Sequence, residues 1–403
     1  MRPGVTGRPS TGPLRGVRVL DLTAMLAGPY GSMILADLGA DVVKIEPPTG
    51  DVTRHSGPHR AGDSDEALAG YFQSVNRGKR SLVMNLRDAR TKEQFLELVR
   101  HADILLENYS AGVMDRLGLG YEVLHEVNPA LVYGTLRGFG DPRSGRSPYT
   151  DWPAFDVVAQ AMGGFLGITG TADGQPVKSG PGVGDIFPGT LLALGVLAAL
   201  RHAERTGEGQ FVDIAMYDAV LALCERAVYQ YSYLDAVAQP IGNSHPLLFP
   251  FDIFQTSDGW IAMAAQAPHH WAILCDAMQR PDLAEDPRYA ANIDRVVHRD
   301  EVAPVVTAWV AGHTTAEIVA ELGGRVPVGP VNHMNDIYAD PHVAAREMLV
   351  DVPQPGSATP VTVAGVPLKF SGTPARITDR GPLLGEHDYD DVLAAWTRPP
   401  EQD

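Results

Sequence analysis

Over its first 140 residues the chain alternates short β-rich runs with helical ones. Residues 17–22 read as a strand, residues 29–38 as a helix stopped by Gly39, and residues 41–46 as a second strand. Residues 91–101 form an amphipathic helical pattern with Thr91 as N-cap, and residues 103–107 and 130–136 are further strands. This order predicts an α/β fold, a parallel sheet with helices on both faces. Ligands on such sheets collect where the strands end, here at residues 23–28, 46–54, 108–112 and 137–140.

The pattern changes further on. Residues 211–216 read as a strand and 217–234 as one long helix. Two runs, 251–255 and 260–264, flank the turn Thr256-Ser257-Asp258-Gly259 and predict a β-hairpin. Helical segments follow at 268–278, 300–311 and 315–322, as expected for a smaller, separate α+β domain. Past Val326-Pro327-Val328-Gly329-Pro330, short strands and a last helix at 388–396 are expected to return to the first domain. The expected division is a disordered tail at 1–16, a large domain at 17–225, a small domain at 226–325 and a return segment at 326–403.

A net charge of −17 argues against nucleic acid or an anionic membrane as the main partner, though a local basic pocket could still take an anionic ligand. The two cysteines, Cys224 and Cys275, each sit in an apolar pattern and suggest buried thiols in a reducing compartment. The apolar run at residues 190–200 is too short to cross a bilayer and reads as a buried helix. The chain is therefore expected to be soluble and cytoplasmic. No CxxC pair, HExxH or Asp-rich loop is present, so no metal is expected.

Gly182-Val183-Gly184-Asp185-Ile186-Phe187-Pro188-Gly189 sets a lone carboxylate among glycines, just before the strongest buried-helix pattern in the chain. Backbone N–H groups and the helix dipole are expected to converge there, keeping Asp185 ionised and stabilising a neighbouring oxyanion. An Asp in such a place is also a common N-cap. The glycines favour close approach by another group. Arg54, Lys79, Arg80, Arg87, Arg116 and Arg137 gather near the strand ends. They read either as solvated surface or as a site for a phosphorylated nucleotide. Leu26-Ala27-Gly28-Pro29-Tyr30-Gly31 lacks the third glycine of a dinucleotide fingerprint, which disfavours NAD. Asp156 reads as a helix cap and Asp213 as a structural acceptor. His245 lies in the loop Gly242-Asn243-Ser244-His245-Pro246, which could close over a carboxylate substrate.

Together these motifs resemble the family III CoA-transferases, the CaiB/BaiF family that includes formyl-CoA transferase. The resemblance runs from about Leu14 to Leu393. It rests on Val19-Leu20-Asp21-Leu22-Thr23, Ala27-Gly28-Pro29, Leu38-Gly39-Ala40-Asp41-Val42-Val43-Lys44-Ile45-Glu46 and Gly50-Asp51. It continues with Asn76-Arg77-Gly78-Lys79-Arg80-Ser81, Glu107-Asn108-Tyr109-Ser110-Ala111-Gly112, Gly184-Asp185, the His245 loop and Gly385-Glu386-His387. It implies a Rossmann-like large domain built from both chain ends, a small domain, and an interlocked homodimer. It implies that Asp185 is the nucleophile. Coenzyme A is then a substrate rather than a tightly bound cofactor. Its binding falls on Ala27, Met84, Asn85, Leu86, Arg87, Asn108, Tyr109, Ser110, Arg116, Leu136, Arg137, Gly138 and Phe139. Gly242, Asn243 and His245 would meet the acid substrate.

The implied reaction moves CoA from an acyl-CoA to a free carboxylic acid through aspartyl anhydride and aspartyl–CoA thioester intermediates. Leu26 and Pro47 stand where formyl-CoA transferases carry Gln and Arg, so formyl-CoA and oxalate are not the expected substrates. The His-containing loop points to longer dicarboxylates or carnitine-like acids. The rival of the same fold is an α-methylacyl-CoA racemase, whose relatives carry His where this chain has Phe155. A third reading is a CoA-ester-binding protein without turnover.

Overall fold

The computed structural model describes residues 12–64 and 68–398, so most of the expected tail at 1–16 lies outside the described residues. Its last part does not: residues 12–16 form turns, and the Leu14 N–H donates to the Leu38 carbonyl at 3.0 Å. The chain divides into two compact units. One holds the chain up to Phe165, Ser179–Val228 and the chain from Pro341 onward; the other holds Leu166–Lys178 and Tyr229–Asp340.

The first unit is built on six strands: β1 (Arg18–Asp21), β2 (Asp41–Glu46), β3 (Arg80–Val83), β4 (Ile104–Glu107), β5 (Val132–Arg137) and β6 (Phe211–Ala215). All pair in parallel, in the order β3-β2-β1-β4-β5-β6. Alternate side chains face opposite sides of the sheet. Val19, Val42, Ile104, Leu106 and Val132 face one core with α1 (Ala27–Asp37), α8 (Val183–Thr206) and α9 (Met216–Leu223). Leu20, Val43, Leu105 and Tyr133 face the other with α3 (Ala89–His101), α5 (Tyr121–Val127) and α18 (Tyr389–Thr397). Shorter helices α2 (Gly70–Asn76), α4 (Val113–Arg116) and α6 (Asp156–Met162) occupy the connections, whereas α7 (Phe165–Ile168) belongs, past Phe165, to the second unit.

Several expectations shift by local chemistry. The N-cap of α3 is Asp88, whose carboxylate accepts the Thr91 N–H at 3.0 Å; Thr91 sits inside the helix. The long helix expected at 217–234 breaks at Cys224 into α9 and α10 (Glu225–Leu234). The apolar run at 190–200 belongs to a helix of 24 residues, long and apolar enough to cross a membrane. Leu192, Val196 and Leu200 of that helix are buried in the core against the sheet and α1.

The chain from Pro341 adds α17 (Pro341–Ala345), the antiparallel pair β10 (Leu349–Val352) and β11 (Val361–Ala364), and α18. It is tied to the first strands: the Arg54 guanidinium donates to the Pro382 carbonyl at 2.9 Å, and the Trp396 indole to Asp41 at 2.7 Å. The second unit is an antiparallel sheet of β7 (Phe251–Gln255), β8 (Trp260–Ala264) and β9 (Val328–Pro330). With it go α11 (Pro268–Ala277), α12 (Pro281–Glu285), α13 (Asn292–Val297), α14 (Arg299–Ala311), α15 (Thr315–Leu322) and α16 (Met334–Ala339). Its own core contains Ile261, Met263, Trp271, Val306 and Ile318. Because β9 pairs with β8, residues just past 325 belong to this unit rather than to the return segment.

Candidate active site

The strand order reverses between β1 and β4, which opens a crevice at their carboxyl ends. A pocket of the first unit lies there. Its wall comes from Met25, Leu26 and Ala27 after β1, Asn108–Ala111 after β4, Leu136–Gly138 at the end of β5, and Met216 after β6. Tyr71 of α2, residues 150–155 and Asp185 complete it.

Asp185 is the third residue of α8, not a residue of the turn before it. The residue preceding the helix is Gly182, and no side chain caps the helix from that position. The first-turn donors are already engaged. Asp185 and Ile186 donate their N–H groups to the Gly182 carbonyl at 3.0 and 2.8 Å, and Gly184 donates to the Asp156 carboxylate at 2.8 Å. Asp156 therefore caps α8 from α6, held in turn by Gln160, whose amide reaches both of its oxygens at 2.8 Å. The donors expected to converge near Asp185 are taken up by acceptors within the chain.

Among the described residues, no hydrogen-bond donor and no cation meets the Asp185 carboxylate. Burial, and after it the charge of Asp156, pushes its pKa up to about 6. That corrects the expectation of a strongly ionised group. The glycines admit helices rather than a ligand. A Cβ on Gly189 would lie 2.3 Å from the Ala27 carbonyl oxygen, and one on Gly184 2.6 Å from that of Asp156. Only glycine lets α1 and α6 approach α8 so closely.

The basic cluster is largely committed to carboxylates. Lys79 is buried against Asp21 at 2.9 Å, Arg54 forks onto Glu46, and Arg80 pairs with Asp41. Arg137 is 8% exposed. It donates to Glu107 at 2.5 Å, to Asp141, and through Nε to the Tyr109 carbonyl at 3.0 Å. Its fork is occupied by protein acceptors, so the expected phosphate fork is not open at that position. Arg87 and Arg116 are exposed.

Of the residues singled out in the sequence, the structure brings Ala27, Asn108, Tyr109, Ser110, Leu136, Arg137 and Gly138 to the pocket of Asp185. Met84, Asn85, Leu86 and Arg87 lie just past β3, outside that pocket, as do Arg116 on α4 and Phe139, whose ring packs on Tyr149 and Trp152. Gly242, Asn243 and His245 belong to the second unit. There the Leu247 N–H donates to His245 Nδ1 at 3.1 Å. Sequence reasoning missed Tyr71, which lies close enough to Asp185 for that charge to add to the effect of burial in raising the phenol pKa. Ala27, named from the resemblance, stands at the amino end of α1. Ala27 and Gly28 open that helix, and among the described residues no acceptor meets their N–H groups.

Comparison with known proteins agrees with this architecture. Residues 14–388 match the family described as CoA-transferase family III. The chain is 50% identical to a succinyl-CoA:mesaconate CoA-transferase of Haloarcula hispanica, over 93% of this chain and 94% of that one. It is 38% identical to a succinate–glutarate CoA-transferase of Agrobacterium fabrum, over 93% and 94%. A crystal structure of a CaiB/BaiF family protein from Brucella suis superposes with a TM-score of 0.83 at 34% identity, covering 96% of this chain and 99% of that one. A match of this extent in sequence and backbone settles the relationship: the chain belongs to CoA-transferase family III, and it is an enzyme of that family.

Proposed function

We propose that this enzyme transfers coenzyme A from an acyl-CoA thioester to a free carboxylic acid, with Asp185 as the covalent nucleophile. The observation that carries the reading is a carboxylate set in the crevice at the strand ends, with no hydrogen bond or ion pair among the described residues, on a helix already capped by Asp156. A structural cap would be bonded. An ionised, unpartnered carboxylate is free to attack.

A carboxylate oxygen of Asp185 adds to the thioester carbonyl. Collapse breaks the C–S bond, leaving an acyl–aspartyl anhydride and CoA thiolate. The thiolate adds to the aspartyl carbonyl and expels the donor acid as its carboxylate. The result is an enzyme–CoA thioester. The acceptor carboxylate then adds to that thioester, forms a second anhydride and releases thiolate. Thiolate attack on the acceptor's acyl carbon yields the new acyl-CoA and restores Asp185. Each addition places negative charge on a carbonyl oxygen. With the first turn of α8 engaged, the Ala27 N–H is a donor left open in the pocket wall. Such a donor is worth about 3 kcal/mol in the transition state. Water must stay out, because it would hydrolyse both intermediates.

The acid substrates are read as dicarboxylates of four or five carbons. The names of the Haloarcula and Agrobacterium relatives support this, as does the His245 loop. Coenzyme A is a substrate, and its contacts are read as falling on Ala27, Tyr109, Ser110, Leu136 and Gly138 of the pocket wall. The chain acts as an interlocked homodimer. Support comes from an apolar groove lined by Tyr30, Ile34, Leu197 and Val366, beside an exposed Leu194, and from the exposed Tyr231, Tyr233 and Leu234 of α10. Racemisation is disfavoured because Phe155, a side chain that cannot carry a proton, lines the pocket.

The test is isotopic exchange. Labelled succinate, mesaconate, glutarate and oxalate are each incubated with succinyl-CoA and the enzyme, and the CoA esters are read by mass spectrometry. Label entering a CoA ester supports transfer. Hydrolysis alone, or no turnover with any pair, contradicts it.

A further inference from the structure

We propose that Asn108 and Lys44 are positioning residues that clamp the Thr23–Ala24 backbone and thereby hold the left-handed turn at Met25 in the wall of the Asp185 pocket. This rests on the reading of Asp185 as the nucleophile.

The turn is an unusual one. Met25 has φ 70°, a region an L-residue with a side chain enters at a cost. Among the described residues, the other three non-glycine residues with positive φ are Asp235, Gln279 and Glu347, and none of them lines the pocket. Strained backbone persists where its surroundings determine it, and it gathers at sites that use the resulting shape.

Here the surroundings are specific. The four polar backbone groups of the two preceding residues are each held by a side chain. The Thr23 N–H donates to Asp21 at 3.0 Å. The Thr23 carbonyl accepts from the Lys44 ammonium at 2.6 Å. The Ala24 N–H donates to Asn108 Oδ1, and its carbonyl accepts from Asn108 Nδ2, both at 2.8 Å. Asn108 stands just past β4 and Ala24 just past β1, so this paired bond stitches the two strand ends where the sheet order reverses. Lys44 is buried on β2, with Asp51 as its ionic partner at 3.0 Å. An ammonium without water needs such partners, and the second of them is a carbonyl two residues before Met25. Leu26 and Ala27 follow at once in the pocket wall.

The test uses the purified full-length enzyme. In Asn108→Ala, kcat is expected to fall about tenfold or more, with KM for the CoA ester within about twofold of wild type. Adding Met25→Gly should return about fivefold of the lost kcat, because glycine takes positive φ without the side-chain penalty. Lys44→Met should show the same split between kcat and KM. If it does not fold, the Asn108 arm still decides. A general loss of stability would lower the thermal midpoint and the active fraction, and Met25→Gly would not reverse that. An unchanged kcat in folded Asn108→Ala, or no recovery with Met25→Gly, overturns the proposal. Hydroxylamine trapping on the wild type separates the two readings. Failure to label Asp185 overturns the nucleophile itself, whereas normal labelling with an unmoved kcat in Asn108→Ala overturns only the clamp.

Discussion

The Gly184 N–H donates to the Asp156 carboxylate at 2.8 Å, which sets a second negative charge beside Asp185. This contact closes the first turn of α8 and also tunes the side chain that follows it. Burial is the larger reason that Asp185 is raised to about 6, and Asp156 adds to it. The attacking form is the carboxylate, so kcat/KM should fall as pH drops through about 6. Asp156→Asn keeps an acceptor for Gly184 and removes the charge. Its acid limb should move to lower pH while remaining above the ordinary carboxylate value, because burial persists. A pH profile of kcat/KM for both proteins checks this. An acid limb that stays in place would show that the two carboxylates do not interact.

The same shift has a consequence for stability. The folded chain holds a proton on Asp185 at pH values where the unfolded chain, with an ordinary Asp, has released it. This contribution is present below about pH 4 and is lost as pH rises through about 6. Asp185→Asn should therefore be stabilised relative to wild type as pH rises across that window. Urea titrations at three pH values measure it.

Asp185→Asn should lower kcat by about ten-thousandfold, as removal of a nucleophile does, and leave CoA-ester binding within a few-fold. Calorimetric titration with the ester, beside the exchange assay, checks both halves. Enzyme free of deamidated aspartate is needed for the comparison.

Arg137→Ala should act through stability before affinity. It would leave Glu107 buried without its guanidinium, whereas Asp141 keeps Arg143 at 3.3 Å. Breaking a buried pair in this way costs about 3–5 kcal/mol. Denaturant unfolding measures the loss. A variant as stable as wild type would show that Glu107 is neutralised in another way.

Gly189→Ala tests the helix crossing that places Asp185. Its Cβ would meet the Ala27 carbonyl at 2.3 Å, so α8 and α1 must separate. Overpacking of this kind costs about 1–3 kcal/mol. Activity per folded molecule should also fall, because Ala27 and Asp185 share one pocket.

Much of the fold is legible in the sequence because the strands of a parallel sheet are short, apolar and separated by helices. β1, β2, β4 and β5 announce themselves in that way. β3 does not: Arg80-Ser81-Leu82-Val83 opens on a charge and follows Lys79, so it reads as part of a basic cluster. That cluster misleads for a physical reason. Lys79, Arg54 and Arg137 find their partners in Asp21, Glu46 and Glu107, which come from other parts of the chain, and one-dimensional spacing does not reveal them. Asp185 was visible by its glycines, although those glycines serve helix packing. The pocket wall at Met25 left no trace, because positive φ at a methionine has no sequence signature. Tyr71 was equally silent, lying on a seven-residue helix with no chemical motif around it.

The most direct measurement is chemical trapping during turnover. The enzyme is incubated with succinyl-CoA, quenched with hydroxylamine, digested, and mapped by peptide mass spectrometry. The account predicts a hydroxamate on Asp185, formed only when the CoA ester is present and absent from Asp185→Asn. Full exchange activity with no modification at Asp185, or with the label on another side chain, would contradict it.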